Sequence, residues 1–174
     1  MNENEIIQRC QQYDLSAYKM IYDRYEQPLL HTALRMLGQQ QDAEDAVQTT
    51  FLKLYRGIQN YNYSSKFSTY LFRILMNACF DILRKRKRIK VHPLEEGYAS
   101  YHSRHEERMV LEEAIQALPE RMRACFILFA VEELKQDEIA QILNITPGGV
   151  KSTIYHAKTR LRSKLSNLQI KESS

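Results

Sequence analysis

Cysteine is scarce and poorly placed for any covalent or metal-linked architecture. Cys10, Cys79 and Cys125 are odd in number, far apart and outside C-x-x-C spacing, which indicates neither a disulfide framework nor a zinc knuckle and leaves reduced thiols of a cytosolic protein as the expectation. Glycine and proline are also sparse, five and four in 174 residues. The apolar residues recur at three and four rather than alternating, so the expected fold is all-α with no sheet. No apolar run approaches the roughly 20 residues of a membrane span, and the opening MNENEIIQRC lacks the charged-then-apolar order of an export signal. The expected location is therefore cytoplasmic. A Ser-His-Asp or Cys-His constellation, a glycine-rich phosphate loop and a paired-carboxylate site are all missing, so the expectation is a protein without enzymatic activity or cofactor. His102, His105 and Glu106 stand close together but have no fourth ligand at a suitable spacing, and no metal site is expected.

What the chain does have is charge of unequal distribution. The formal net charge of +4 conceals alternation along the sequence: residues 67–91 carry +6, residues 92–120 carry −5, and residues 141–174 carry +5. Two separated basic zones imply two contacts with a polyanion. The denser one holds Arg84, Lys85, Arg86, Lys87, Arg88 and Lys90, cations whose mutual repulsion nucleic-acid phosphates relieve. If about six phosphates are neutralised, the log–log salt slope of binding is near −5.

Helical periodicity divides the chain into two small domains. Leu15, Tyr18, Ile21, Tyr22, Tyr25 and Leu29 mark one helix, continued across a bend near Pro28 by Ala33, Leu34, Met36 and Leu37 and stopped at Gly38. The stretch from Asp42 to Tyr55 starts with acidic residues suited to a helix N-terminus and buries Ala43, Ala46, Val47, Phe51 and Leu54. Gln59 to Lys66 is polar and predicts a loop. Phe67, Tyr70, Leu71, Ile74, Ala78 and Ile82 then predict a third helix ending in the basic run. Between Ile89 and Arg104 the pattern vanishes, as in a linker. Helical spacing resumes with Val110, Leu111, Ala114 and Ile115, breaks at Leu118-Pro119, and returns with Met122, Cys125, Phe126 and Phe129.

The run from Gln136 to Leu165 is the most specific. Ile139, Ala140, Ile142 and Leu143 form one apolar stripe, and Val150, Ile154, Ala157 and Leu161 form another, which pack as a helix-turn-helix if the turn between them is tight; the alternative is a solvated amphipathic helix packed on a core. Asn144 suits the left-handed conformation such a turn needs, and Thr146 and Pro147 read as N-cap and first helical residue. Lys151, Ser152, Tyr155, His156, Lys158, Thr159 and Arg162 fall outside the stripe and offer a basic, hydrogen-bonding face to a major groove. Upstream, Tyr61, Tyr63, Phe67, Tyr70 and Phe72 cluster with Lys66, Arg73 and Asn77, the mix of rings and cations on which unpaired bases stack. Phe67 and Tyr70 have helical spacing and read as core, whereas Tyr61 and Tyr63 lie in the polar loop and are better placed for stacking. Asn77 and Asp81, one turn apart, fit either base-edge contact or local capping, and spacing does not choose.

Taken in order, DAEDAVQTTFLKLYRGI, FSTYLFRILMNACFDILRKRKR, LPERMRACFILF and the helix-turn-helix resemble an ECF-type (extracytoplasmic function, group IV) RNA polymerase sigma factor of the bacterial sigma-70 family. The resemblance implies a region 2 domain over residues 10–88, a linker over 89–106 that threads the polymerase toward the RNA exit path, and a region 4 domain over 107–168. It implies that Asp42, Asp45, Gln48 and Thr49 dock on the β′ clamp helices of core RNA polymerase, whose β flap is a further contact. It assigns recognition and melting of the minus-10 element to Tyr61, Tyr63, Ser64, Lys66, Phe67, Ser68, Asn77, Asp81, Arg84, Lys85 and Arg86, with the Ser64–Ser68 loop receiving an extruded base. Lys151, Ser152, Tyr155 and His156 read the minus-35 element of promoter DNA, with Lys158 and Arg162 nearer the phosphates. An anti-sigma factor is the further partner it implies. Tyr70 stands where the family commonly has Trp, Thr153 where it often has Arg, and Asn144 where Gly is usual. Tyr155 and His156 also depart from an Arg-rich norm, which leaves the minus-35 sequence open. The rivals are a homodimeric operator-binding regulator, which leaves the aromatic-basic segment without a role, and a tyrosyl-nucleophile enzyme, which lacks the metal or histidine cluster it needs.

Overall fold

The helix boundaries follow from local capping chemistry. The computed structural model describes residues 2–89 and 106–172, with side chains over 2–89 and 109–166; the expected linker and the His102, His105 and Glu106 side chains fall outside the described residues. Among those described, eight α-helices and one 3-10 turn are present and no strand.

The helices are α1 (Glu3–Gln11), α2 (Leu15–Leu37), α3 (Gln40–Gly57), α4 (Phe67–Ile89), α5 (Glu106–Gln116), α6 (Glu120–Ala130), α7 (Gln136–Leu143) and α8 (Pro147–Glu172), with the 3-10 turn at Ile58–Asn60. Chain contacts group them into two units, Met1–Cys79 and Phe80–Ser174, and α4 runs through the division. Periodicity gives no sign of α1. Its start is a reciprocal cap in which Asn2 Oδ1 accepts the Glu5 N–H at 2.9 Å and the Glu5 carboxylate accepts the Asn2 N–H at 2.9 Å, satisfying two donors that a helix start otherwise leaves orphaned.

In the first unit, Asp14 caps α2 by accepting from the Ser16 and Ala17 N–H groups. The Ser16 hydroxyl and then the Arg9 guanidinium hold its carboxyl well below the usual carboxylate range. α2 runs through Pro28 as one helix and stops at Gly38, whose φ of 73° is a conformation glycine adopts without a Cβ penalty. The core includes Ile6, Ile7, Ile21, Leu29, Met36, Phe51, Leu54, Phe67, Leu71 and Leu75. Leu15, expected in the α2 stripe, is instead 67% exposed: at the first helical position it precedes the turns that face α1 and α3. The Tyr18 hydroxyl donates to the Phe51 carbonyl across α2 and α3, and burial pushes its phenol up to about 12.

In the second unit α5, α6 and α7 all pack on α8. Arg123 is a buried cation at the α5–α6 turn. Its Nη2 donates to the Gln116 carbonyl at 2.6 Å and the Leu118 carbonyl at 3.1 Å, and its Nη1 to Gln116 Oε1 at 3.2 Å. The two carbonyls lie at and just past the negative end of α5, so one guanidinium serves both the hydrogen-bond and the dipole requirement of that terminus. All three cysteines are buried free thiols.

Candidate nucleic-acid interface

The helix-turn-helix depends on one backbone conformation. Asn144 ends α7 at φ 53°, ψ 51°, the left-handed geometry that Asn tolerates better than most residues with a Cβ. The Ile145 N–H then returns to the Ala140 carbonyl at 3.1 Å. The chain re-enters a helix at once: Thr146 Oγ1 accepts the Gly149 N–H at 3.0 Å and the Thr146 carbonyl accepts the Val150 N–H at 3.0 Å, with Pro147 first in α8. This is the cap-and-proline start expected from the sequence. A Cβ at Gly149 would lie 3.2 Å from Thr146 Oγ1, so the tight start favours glycine there.

With the turn fixed, Val150, Ile154, Ala157 and Leu161 are buried against the unit's core, each at 6% exposure or less. Lys151, Ser152, Tyr155, His156, Lys158, Thr159 and Arg162 are all exposed. Tyr155 is 67% exposed, its ring edge-on to His156 with centroids 5.6 Å apart. Lys158 lies over the Phe129 ring, 4.8 Å from its centroid, which draws its ammonium toward α6. The result is a solvent-facing surface of cations, hydroxyls and rings on a rigid helix.

The second surface surrounds the start of α4. Tyr63 has φ 60°, a strained value for an aromatic residue, and Ser64 donates its N–H to Asn62 Oδ1 at 3.1 Å, shaping an Asx turn. The end of α1 anchors this loop: Gln11 Nε2 donates to the carbonyls of Ile58 at 3.1 Å and Tyr61 at 2.8 Å, while Tyr63 Oη donates to Gln11 Oε1 at 3.2 Å.

Phe67 is core, as its helical spacing predicts, whereas Tyr61, expected from its polar loop to offer a stacking ring, is buried beside it. Tyr61 is 7% exposed and Phe67 2%. The Tyr61 ring packs against Tyr63, Phe67 and Tyr70 with centroids 4.8, 5.4 and 5.1 Å apart, and its hydroxyl donates to the Ser65 carbonyl at 2.7 Å. Neither ring has a face open to a base, so both support the loop from beneath. The loop's polarity hid this, because an isolated aromatic flanked by polar residues carries no periodicity. Tyr63, at 42% exposure, is exposed, as are Ser64, Lys66 and Asn77; Ser68 and Asp81 are half-buried. Asp81 accepts from Arg84 at 2.9 Å, which favours its local role. Arg84 and Lys85 are exposed and Arg86 half-buried on the last turns of α4. A cleft of about 370 Å³ is lined by Glu3, Asn4, Tyr61, Tyr63, Ser65, Lys66, Phe67 and Ser68.

A third surface lies on α3. Asp45 and Gln48 are exposed, with Asp42 and Thr49 half-buried beside them. Leu52 and Tyr55 continue the same helical face at 58% and 41% exposure. Periodicity does not single these two out, because they fall just beside the buried Phe51 and Leu54. No group of three or more His, Cys, Asp or Glu side chains suited to a metal occurs among the described residues, and no helix there is long and apolar enough to cross a membrane.

Comparison with known proteins agrees with this geometry. The Sigma-70 region 2 family matches residues 21–89 and the Sigma-70 region 4 family residues 108–161. The chain is 31% identical to the ECF RNA polymerase sigma factor SigW of Bacillus subtilis, over 93% of this chain and 96% of that protein. It is 34% identical to the ECF RNA polymerase sigma factor SigE of Mycolicibacterium smegmatis, over 76% of this chain and 55% of that one. Its fold resembles the sigma factor RpoE solved in complex with the anti-sigma factor NepR from Bartonella quintana, with a TM-score of 0.73 at 23% identity, covering 86% of this chain and 96% of that one. Two family matches in the expected order, and full-length similarity to SigW, establish that this chain belongs to the ECF RNA polymerase sigma factors, a family of DNA-binding transcription initiation proteins.

Proposed function

We infer that this protein binds core RNA polymerase, directs it to promoters through two DNA elements, and assists strand opening without covalent chemistry of its own. The observation that carries this reading is the α8 surface: a helix locked at its start by Asn144 and Thr146, apolar on its buried side, with Lys151, Ser152, Tyr155 and His156 all facing solvent. A helix so presented fits the major groove of a minus-35 element. Lys158 and Arg162 then serve the phosphates, which position without reading sequence.

The α4 surface takes the minus-10 element. Tyr63 supplies a ring for stacking, the Ser64–Ser68 loop and its cleft receive an extruded base, Asn77 approaches a base edge, and Arg84, Lys85 and Arg86 neutralise backbone phosphates. Extruding a base costs a few kcal/mol, which contacts in the cleft offset. The α3 face docks on the β′ clamp helices through Asp42, Asp45, Gln48 and Thr49, and exposed Leu52 and Tyr55 extend it with the apolar area that interface centres favour. The second unit meets the β flap. Since RpoE is held by an anti-sigma factor in its solved complex, a partner of that kind covers the DNA-contacting surfaces of this chain until a signal removes it. The work takes place where polymerase and chromosome are, in the cytoplasm.

The test is a reconstituted reaction containing the purified protein, core polymerase and promoter DNA. Specific transcripts that need all three components support the reading. Tight binding of duplex DNA by a dimer without polymerase points to an operator-binding regulator, and a covalent tyrosyl-DNA adduct to an enzyme; either result overturns it.

A further inference from the structure

α1 lies outside the Sigma-70 region 2 match, which begins at residue 21, yet it supplies one wall of the cleft. Glu3 and Asn4 face Tyr61, Tyr63, Ser65, Lys66, Phe67 and Ser68 around a volume of about 370 Å³, within the range of small-ligand pockets. Glu3 is fixed in place. Its Oε1 accepts from Tyr25 Oη at 2.6 Å and from Arg24 Nη1 at 3.3 Å, and its side chain stays 36% exposed. Both contacts fall on one oxygen, and no described residue donates to Oε2. A carboxylate held at the edge of a DNA-binding cleft repels phosphate, so it is a poor backbone contact. Its Oε2, which accepts from no described residue, is suited to a group that presents N–H.

Resting on the promoter-reading assignment above, we propose that Glu3 is a specificity-determining residue of this cleft, selecting an extruded base that carries an exocyclic amino group and rejecting thymine. Cytosine, adenine and guanine each offer an amino donor to a carboxylate. Thymine offers one ring N–H flanked by two carbonyl oxygens, which the carboxylate repels. Tyr63 supplies the stacking surface beside the cleft and Lys66 a cation near its mouth. This is the division between edge readout and stacking found where proteins take a base out of the helix.

The experiment measures binding of the full-length protein on core polymerase to single-stranded non-template oligonucleotides of the minus-10 element, with each position changed in turn to all four bases. The wild type is expected to show one position at which thymine binds at least about tenfold more weakly than the best amino-bearing base, the scale of one good base-edge contact. Glu3→Gln, whose amide both donates and accepts, is expected to bring that ratio to within about twofold of unity, with preferences at the other positions unchanged. Tyr25→Phe removes the same α1–α2 hydrogen bond but keeps the carboxylate, and is expected to retain the discrimination. If Glu3→Gln leaves every preference intact, or if Tyr25→Phe abolishes the discrimination as well, Glu3 only holds α1 in place and the proposal falls while the promoter-reading assignment stands. If no oligonucleotide is bound selectively and no transcript appears in the reconstituted reaction, both fall together.

Discussion

Single residues decide more here than their burial suggests. Asn144 carries the left-handed turn of the helix-turn-helix, so Asn144→Gly is expected to leave stability within about 0.5 kcal/mol, whereas Asn144→Val forces a β-branched residue to positive φ and is expected to cost about 1–2 kcal/mol. Urea denaturation midpoints measure both. Tyr63 is the exposed ring of the α4 surface, and Tyr63→Ala is expected to weaken binding of minus-10 single strands by about 1–3 kcal/mol, read by fluorescence anisotropy on the polymerase complex. Burial raises the Tyr18 phenol to about 12 from 10.0 and the Cys125 thiol to about 11 from 9.0. For both groups the folded state favours the neutral, protonated form, so the unfolded chain loses these protons first. Stability is therefore fully present below about pH 9 and declines from there through pH 12. A denaturation series from pH 8 to 11 should show a monotonic fall above pH 9, and a rise would contradict the assignment.

At the scale of elements, the α8 and α3 faces are separable. Lys151→Ala with Tyr155→Ala is expected to reduce upstream promoter recognition at least tenfold while leaving polymerase affinity unchanged, since neither side chain is buried. Changing Asp45 and Gln48 to alanine is expected to do the reverse. Footprinting and a polymerase-binding assay on both variants check this, and equal loss of both activities in either variant would defeat the assignment of faces. The α5–α6 turn makes a structural counterpart. Arg123→Met keeps the aliphatic volume but removes the guanidinium that donates to the Gln116 and Leu118 carbonyls, at an expected cost of about 1–3 kcal/mol.

At the scale of the whole molecule, the proposed reading brings two basic surfaces, the end of α4 and the exposed face of α8, to one template. Binding of the polymerase complex to promoter DNA is expected to depend steeply on salt. Replacing Lys85 and Arg88 with glutamine is expected to flatten the log–log slope by roughly two, one for each phosphate that no longer meets a cation, with little effect on which sequence is chosen. An unchanged slope would remove the end of α4 from the DNA. The overall plan is legible without coordinates, because amphipathic helices state their buried faces through 3.6-residue periodicity. The α3 and α8 stripes are readable residue by residue for that reason, and the Asn144 turn through its conformational preference.

What lies beyond the sequence are properties that arise between segments distant in the chain. α1 signals itself only through the Asn2–Glu5 cap, and nothing in its residues says that Gln11 would reach the loop after α3 or that Glu3 would wall a cleft formed by residues far downstream. Tyr61 and Tyr63 sit two residues apart in one polar loop, alike in composition, yet one is buried and the other exposed. Sequence by itself determined the helical class, the basic zones and the DNA-reading helix, since these depend on local periodicity, capping and charge. Only the tertiary structure decided which aromatic rings were free and which side chains shared the cleft, because burial is set by the neighbours that folding brings together.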